Sequence, residues 1–216
     1  MTKAILLDFE TLGDRPGSVV LDLAAVVFDL EGNDNFNDLV NDEERTFRVK
    51  FEVTHQVRKW GRTIDKSTVE WWKGQGEKAK RVIQPDPKLD VSLEVGMGLF
   101  KEFVERTEVY NKKTLGYVRG QSFDFPILVD IVHSIWPKID YTMFPVAFWN
   151  QRDVRTALAH DLCTPINTKC PLPEGMFEDF VAHNSIHDCV RDVISLQRAI
   201  GYKNGTIEVP EKFQLY

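Results

Sequence analysis

The amino-acid sequence predicts an α/β protein built on a mixed sheet of five strands, with helices flanking the sheet. Two observations carry this prediction. Three strand-like segments follow one another near the start of the chain, and helical and strand-like segments alternate after them. Consecutive strands joined by tight turns form an antiparallel meander, whereas strands separated by helices pair in parallel. The 216 residues contain no internal repeat, low-complexity tract or linker-like stretch, so we expect a single domain over residues 1–216.

The first three strands differ in the arrangement of their apolar residues. Residues 3–11 begin apolar and end on polar side chains, before a glycine turn at Gly13. Residues 19–30 are almost continuously apolar and rich in valine, which is typical of a central strand that is buried on both faces. Residues 47–53 alternate between apolar and polar side chains, which predicts a strand with one face exposed to water.

The remainder of the chain predicts five helices and two strands. Ser67 and Glu70 have the spacing of a capping box, in which each side chain bonds the backbone N–H of the other residue, and a helix is expected to continue from there to residue 82. Apolar residues at every third or fourth position predict a second helix over residues 91–107. The later helices are expected at 125–135, 152–162 and 188–200, and the later strands at 114–119 and 145–149.

Charge and cysteine content exclude several classes of protein. Lys and Arg number 27 against 33 Asp and Glu, so the net charge is −6, unlike the basic proteins that hold nucleic acid stoichiometrically. A polyanionic substrate must therefore be bound locally and released after turnover. The three cysteines lack the spacing of a disulfide scaffold or a zinc site, and no segment resembles a membrane span or a signal peptide. We expect a cytoplasmic protein that does not bind membranes.

One part of the chain is basic although the whole is acidic. Residues 45–81 contain eleven Lys and Arg against four acidic residues, a local net charge of +7, whereas the rest of the chain carries −13. A basic strand–loop–helix region on an acidic protein is a suitable landing surface for a phosphate backbone. The alternative is a solvated face that happens to be rich in lysine.

Asp8 and Glu10 form an Asp-x-Glu motif on the first predicted strand. Residues i and i+2 of a strand share a face, so both carboxylates point the same way while Phe9 points oppositely. Two like charges at the end of a buried strand are costly unless a divalent cation compensates them. The alternative is a pair of solvated acids at a strand end.

Two further motifs place acids at the start of helices. Asp124 follows a strand and precedes a helical segment, and the alternative role for Asp124 or Ser122 is that of a helix cap. His183 and Asp188 lie before and within the first turn of the last helix, so they could face a common point. An acid in the first turn also complements the helix dipole, which is the alternative for Asp188. Each motif by itself is compatible with a structural role.

The three motifs follow a definite order: Asp-x-Glu on the first strand, Phe-Asp in mid-chain and His-x4-Asp at the last helix. This order resembles the DEDDh superfamily of 3′–5′ exonucleases, the DnaQ-like or RNase T-like enzymes. Residues 67–72 (STVEWW) and 149–156 (WNQRDVRT) are most similar to the exodeoxyribonucleases of T-even phages and to the Rv2179c-like exoribonucleases. The resemblance covers nearly the whole chain and implies an RNase H-like fold.

The resemblance also implies an activity. The protein would be a metal-dependent 3′–5′ exonuclease that releases nucleoside monophosphates from the 3′ end of single-stranded DNA, in the host cytoplasm if it is phage-encoded. Two Mg²⁺ or Mn²⁺ ions are expected per site, because a pair of metals clamps the attacking and leaving oxygens. His183 would be the general base that takes a proton from the attacking water. The implied metal ligands, which are also catalytic residues, are Asp8, Glu10, Asp124 and Asp188.

The family resemblance assigns the substrate contacts as well. Two positions depart from the family pattern: Arg119 and Gly120 stand where many relatives have His-Asn, and Ser185 replaces the usual alanine of the third motif. Recognition of phosphate or sugar is therefore expected to differ near Arg119. The residues assigned to substrate binding are Thr11, Leu12, Phe123 and Arg119.

Several alternatives stay open at this point. His187 and Asp192 also have the His-x4-Asp spacing, although a helix that begins near Asp188 favours His183 and Asp188. The substrate could be RNA instead of DNA. The protein could instead be a weakly active module that binds nucleic acid or a partner, a proofreading subunit bound to a polymerase, or an unrelated phosphohydrolase. The sequence does not predict an oligomeric state.

Overall fold

A computed structural model describes residues 2–110, 112–140, 142–164 and 169–216. Within these residues the fold consists of a mixed sheet with helices on both faces and a separate two-stranded ribbon. The strands of the sheet are β1 (Lys3–Thr11), β2 (Val20–Asp29), β3 (Thr46–Phe51), β4 (Asp90–Val91), β5 (Leu115–Val118) and β6 (Gln151–Asp153). The helices are α1 (Phe36–Val40), α2 (Val53–Trp60), α3 (Lys66–Lys73), α4 (Leu93–Arg106), α5 (Asp124–Ile135), α6 (Val154–Asp161) and α7 (Ser185–Asn204). The ribbon pairs β7 (Pro171–Pro173) with β8 (Phe213–Leu215).

The sheet has the strand order β4-β3-β2-β1-β5-β6. As predicted, β1, β2 and β3 form an antiparallel meander, but β2 and β3 are joined by a segment that contains α1 instead of by the expected tight turn. The strands β5 and β6 continue the sheet in parallel with β1. The described sheet has six strands instead of the predicted five, because β4 adds two residues in parallel to β3. Two residues are too few to carry an alternating pattern, so no local pattern indicates β4.

The alternation of β1 divides its side chains between two layers of the core. Ile5 and Leu7 face the layer that contains Met97 of α4 and residues of α5, whereas Leu6 faces the layer that contains Val190 of α7. Burial on both faces explains why β1 and β2 have nearly continuous apolar runs. Asp8 shares the face of Leu6, and β1 therefore directs it toward the α7 layer.

The prediction of a helix over residues 67–82 is wrong at both ends, since α3 spans Lys66–Lys73. Asp65 caps α3, because its carboxylate accepts the Ser67 N–H at 2.7 Å, and Glu70 pairs with Lys73 instead of returning to the cap. The helix ends at Lys73, before Gly74, since glycine is a poor helix former. A short 3₁₀ turn, Ala79–Ile83, follows it.

Two other segments adopt a different secondary structure from the one that the sequence predicted. The strand expected at 145–149 is wrong: this segment leads into a 3₁₀ turn, Phe148–Asn150, and β6 begins only at Gln151. The Asn150 side-chain amide donates to the carbonyls of Lys112 and Thr114, which holds the turn against the chain before β5. Residues 52 and 53, expected in the third strand, instead begin α2, because the Glu52 carboxylate caps that helix.

The last helix is longer than expected. It begins at Ser185 instead of Asp188 and ends at Asn204, before Gly205 in the left-handed conformation. Within the described part of the chain, none of the helices is both long enough and apolar enough to span a bilayer.

Candidate active site

The Asp-x-Glu motif lies on the carboxyl-terminal half of β1. Asp8 and Glu10 are both partly buried, and the alternation of the strand places them on the face covered by α7. The pairing of β1 with β2 shifts register between Glu10 and Thr11, so the strand becomes irregular directly after the motif. A register shift of this kind is common beside active sites, where it redirects a side chain.

Asp124 lies in the same region, shortly after β5, the strand that pairs in parallel with β1. It is the first residue of α5, and its side chain is buried. One carboxylate oxygen accepts the backbone N–H of Phe9 at 3.1 Å, which holds Asp124 against the strand residue that separates Asp8 from Glu10 in sequence. Gly120, with φ of 138°, makes the turn from β5 into α5, a backbone conformation that side-chain-bearing residues rarely adopt.

The turn before α7 completes the cluster. His183 has a φ of 61°, and its backbone N–H donates to Asp188 Oδ2 at 2.8 Å. One potential metal-ligand atom from each of Glu10, His183 and Asp188 lies within 4.8 Å of the other two. The structure therefore brings together residues from the first and the last motif, and the Phe9 N–H connects Asp124 of the second motif to the same strand.

The electrostatics of the site indicate an excess of buried negative charge. Burial, followed by Glu10, Asp124 and Asp188, raises the pKa of Asp8 well above its usual value. Burial is also the largest cause that raises the pKa of Glu10 to about 9, of Asp124 to about 7 and of Asp188 to about 6. Divalent cations would remove this repulsion, and a set of carboxylate oxygens suits Mg²⁺ or Mn²⁺. The residues present therefore fit the metal that the sequence predicted.

His183 is held among aromatic rings. Its ring meets that of Trp71 edge to face, with centroids 4.8 Å apart, and that of Trp72 at 6.0 Å. Burial and the nearby Arg191 lower the pKa of His183, which favours the neutral imidazole at neutral pH. A neutral imidazole is the form that can accept a proton.

The second His-x4-Asp spacing has a different environment. Asp192 is buried and forms ion pairs with Arg119 Nε at 2.7 Å and with Arg191 Nε at 2.9 Å. Although burial raises its pKa, Arg191 and Arg119 lower it below the usual value. His187 Nδ1 accepts the Val181 N–H at 3.1 Å, and the ring of His187 packs edge-on against Phe36. Internal partners therefore occupy both His187 and Asp192.

Comparison with known proteins identifies the family. The family model of the 3′-5′ exoribonuclease Rv2179c-like domain matches residues 3–198. The chain belongs to the Rv2179c-like family. It is 38% identical to an exodeoxyribonuclease of Enterobacteria phage T4 over 217 residues, which covers 96% of this chain and 93% of the phage protein. The predicted class of enzyme, a 3′–5′ exonuclease, is thereby confirmed.

Solved structures agree on the fold of this Rv2179c-like protein. Escherichia coli exonuclease I in complex with a dT13 oligonucleotide is similar with a TM-score of 0.59 at 11% identity, over 95% of this chain and 42% of that one. Exonuclease I from Methylocaldum szegediense gives a TM-score of 0.57 at 12% identity, over 95% of this chain and 41% of that one. The chain thus spans about two fifths of these exonuclease I chains. The likeness confirms the RNase H-like fold.

The residues predicted to bind substrate differ in their surroundings. Thr11 and Leu12 follow Glu10 directly and are both buried, with Leu12 packed beside Trp72. Phe123 precedes Asp124 and is partly buried against the core, and the guanidinium of Arg119 is engaged by Asp192. Thr11 is therefore adjacent in sequence to Glu10, and Phe123 is adjacent to Asp124.

Two residues of this Rv2179c-like protein that lie beside the cluster were not predicted. Arg191 Nη1 binds Asp188 Oδ1 at 2.6 Å, and its i+3 position on the helix was a signal that could have found it. Trp71 belongs to the STVEWW segment, but its contact with His183 has no sequence signal. Trp72 Nε1 donates to the Thr11 carbonyl at 2.8 Å, so α3 supports both sides of the site.

Proposed function

We propose that this Rv2179c-like protein is a single-domain, metal-dependent exonuclease that releases nucleoside monophosphates from the 3′ end of single-stranded DNA. The observation that carries the proposal is the convergence of Glu10, His183 and Asp188 within 4.8 Å, beside Asp8 and Asp124. Asp8 and Glu10 lie on β1, Asp124 begins α5, His183 lies in the turn before α7, and Asp188 lies in the first turn of α7.

Asp8, Glu10, Asp124 and Asp188 would hold two Mg²⁺ or Mn²⁺ ions. Bound there, the cations supply Lewis-acid stabilisation of the attacking and leaving oxygens of the phosphodiester. The chain contributes the placement of the four carboxylates. The Phe9 N–H orients Asp124, and the His183 N–H orients Asp188, so two of the four carboxylates are fixed by backbone donors.

His183 is the proposed general base. Its pKa is lowered, so its imidazole is neutral near neutral pH and can take a proton from the attacking water at a ring nitrogen. The edge-on contact with Trp71 restricts the orientation of the ring. A histidine in this role contributes about 10²–10⁴-fold to the rate.

The residues after the Asp-x-Glu motif are proposed to hold the terminal nucleotide. The Leu12 carbonyl accepts the Asp65 N–H at 2.7 Å, and the Thr11 carbonyl accepts from Trp72, so this turn is tied to α3. A turn that is fixed before the substrate arrives loses little entropy on binding. Phe123 and Arg119 are proposed to contact the substrate from the α5 side.

DNA is favoured over RNA because the phage T4 relative is an exodeoxyribonuclease and is similar along nearly the whole chain. The family description favours the alternative, a 3′–5′ exoribonuclease with the same site. A weakly active module that binds nucleic acid or a partner is the other alternative. The phage relative also supports the proposal that the enzyme acts in the host cytoplasm.

A time course on end-labelled single-stranded DNA and RNA of matched sequence tests the proposal. Wild type with Mg²⁺ or Mn²⁺ is expected to shorten the DNA stepwise from its 3′ end. Asp8→Ala and His183→Ala are expected to abolish or strongly reduce the shortening, while His187→Ala is the matched control and retains it. Faster shortening of RNA than of DNA would make RNA the substrate. Absence of shortening of either polymer would leave the binding module.

A further inference from the structure

A groove of about 760 Å³ adjoins the candidate active site. Its walls come from β3, from the segment between α3 and α4, and from the turn before α7. His183 is part of the lining, so the groove meets the candidate active site at this residue. The volume falls within the range of about 300–1,000 Å³ that is usual for ligand pockets.

The lining of the groove is cationic although the chain is acidic. Among the described residues that line it, one is acidic, namely Asp86. Lys78 and Arg81 are exposed, and they lie in the basic part of the sequence. Arg48 and Lys50 also line the groove, where they are anchored by ion pairs to carboxylates. A concave surface with this charge concentrates field lines and attracts polyanions.

The groove also exposes apolar side chains. Leu89 is 64% exposed and Leu99 is 43% exposed, and both belong to the lining. A surface with cations beside apolar groups matches a single strand of nucleic acid, whose phosphates and bases are both accessible. In a duplex the bases are stacked and paired, so a leucine has little to contact.

We propose that this groove binds the nucleotides on the 5′ side of the terminal one, with phosphates on Lys78 and Arg81 and bases against Leu89 and Leu99. The inference rests on the proposed function, and it adds a path for the strand and a physical reason for a preference for single strands. Lys78 and Arg81 act only on substrates that are long enough to reach them.

Substrate length provides the test. Lys78→Ala/Arg81→Ala is expected to raise KM for an oligonucleotide of twelve nucleotides about tenfold, with kcat unchanged, and to leave cleavage of a dinucleotide unchanged. The slope of log affinity against log salt is expected to fall by about 0.7 for each phosphate that the variant no longer neutralises. Lys138→Ala/Lys212→Ala removes the same charge from exposed positions outside the groove and is the matched control.

A second variant separates base contacts from phosphate contacts. Leu89→Ser/Leu99→Ser is expected to weaken binding of the long oligonucleotide several-fold without a change in the salt slope. Thermal melting of each variant excludes a folding defect as the cause.

Three results would contradict the proposal that the groove binds the strand. The first is an equal rise in KM for the groove variant and for its control, since that is an effect of net charge. The second is a parallel loss on the dinucleotide, which places Lys78 and Arg81 in the site itself. The third is unchanged kinetics on the long oligonucleotide.

A binding assay tests the groove even if the proposed nuclease activity is not observed. If wild type shortens no oligonucleotide, fluorescence anisotropy of a labelled single strand in Ca²⁺ still measures binding. Weaker binding by Lys78→Ala/Arg81→Ala than by the control then supports the groove, and equal binding overturns it together with the nuclease activity.

Discussion

Asp188 and Asp192 lie one turn apart on α7, and both have little exposed side chain, 13% and 3% respectively. The pKa of Asp188 is raised to about 6, whereas that of Asp192 is lowered. The two acids differ in their counter-charges. Arg119 and Arg191 both bind Asp192, while Asp188 shares Arg191 and faces Glu10.

Under the proposed function, Asp192 stabilises the fold whereas Asp188 binds metal. A buried carboxylate with two arginines is compensated within the protein, so removing it takes a counter-charge from Arg119 and leaves Arg191 with Asp188. A carboxylate whose pKa is raised is only partly compensated, which suits a ligand for an external cation. Substitution of the two acids should therefore affect different properties.

The largest expected effect is on catalysis by Asp188→Asn. We expect kcat to fall by at least about 100-fold, since the stabilisation that a bound metal supplies is worth several kcal/mol. The free energy of unfolding in EDTA is expected to change by less than about 1 kcal/mol, because asparagine can still accept the His183 N–H. Steady-state cleavage of an end-labelled strand and urea unfolding measure the two quantities.

Asp192→Asn is expected to have the opposite effects, a large loss of stability and a small loss of kcat. Loss of a buried partner is expected to lower the free energy of unfolding by about 3 kcal/mol, or Tm by roughly 6–12 °C. At a temperature where the variant stays folded, kcat should remain within about tenfold of wild type. If Asp192→Asn instead abolishes cleavage while Asp188→Asn preserves it, the alternative motif of His187 and Asp192 is the catalytic one.

Arg191→Lys sharpens the comparison, because Arg191 connects the two acids through separate nitrogens. Lysine keeps the charge but cannot present two donors in a fixed fork. We expect kcat to fall about 10-fold at saturating Mg²⁺, since groups that orient metal ligands contribute about 10–100-fold. We also expect a smaller loss of stability than for Asp192→Asn, because Arg119 remains. A loss of stability with kcat unchanged would mean that Arg191 serves only Asp192.

Local periodicity made part of the site predictable. The two-residue repeat of a strand fixes Asp8 and Glu10 on one face, whatever the rest of the fold does. The preference for His183 and Asp188 came from a helix expected to begin near Asp188, whereas α7 begins at Ser185, so this assignment stays a prediction.

Tertiary contacts decided what the sequence did not predict. Asp65 and Ser67 are both good caps, and the bond from the Asp65 N–H to the Leu12 carbonyl accompanies the choice of Asp65. Residues 145–149 are mainly apolar, but Asn150 holds the end of this segment in a turn through distant carbonyls. The contact of Trp71 with His183 joins segments far apart in sequence, which no local pattern encodes.

The last expected effect is the dependence on pH of the stabilisation by metal. In the metal-free protein the pKa of Glu10 is about 9 and that of Asp124 about 7, both above their unfolded values, so the folded state binds more protons. This contribution to stability is complete below the unfolded values, about pH 4, and is lost as pH rises through the folded ones. Mg²⁺ replaces those protons, so its stabilising effect should be larger at pH 8 than at pH 6.

A Mg²⁺ concentration of 100 times Kd raises the free energy of unfolding by about 2.7 kcal/mol, which corresponds to a rise in Tm of roughly 5–11 °C. Thermal melting with Mg²⁺ and with EDTA at both pH values measures the gain. Asp188→Asn should reduce the gain in Tm at pH 8, and Asp192→Asn should retain it. An equal gain at the two pH values would mean that Mg²⁺ binds without displacing protons from these carboxyls. An equal gain in wild type and Asp188→Asn would place the ion elsewhere, and the contrast between the two acids of α7 would then reflect only their distance from Arg119.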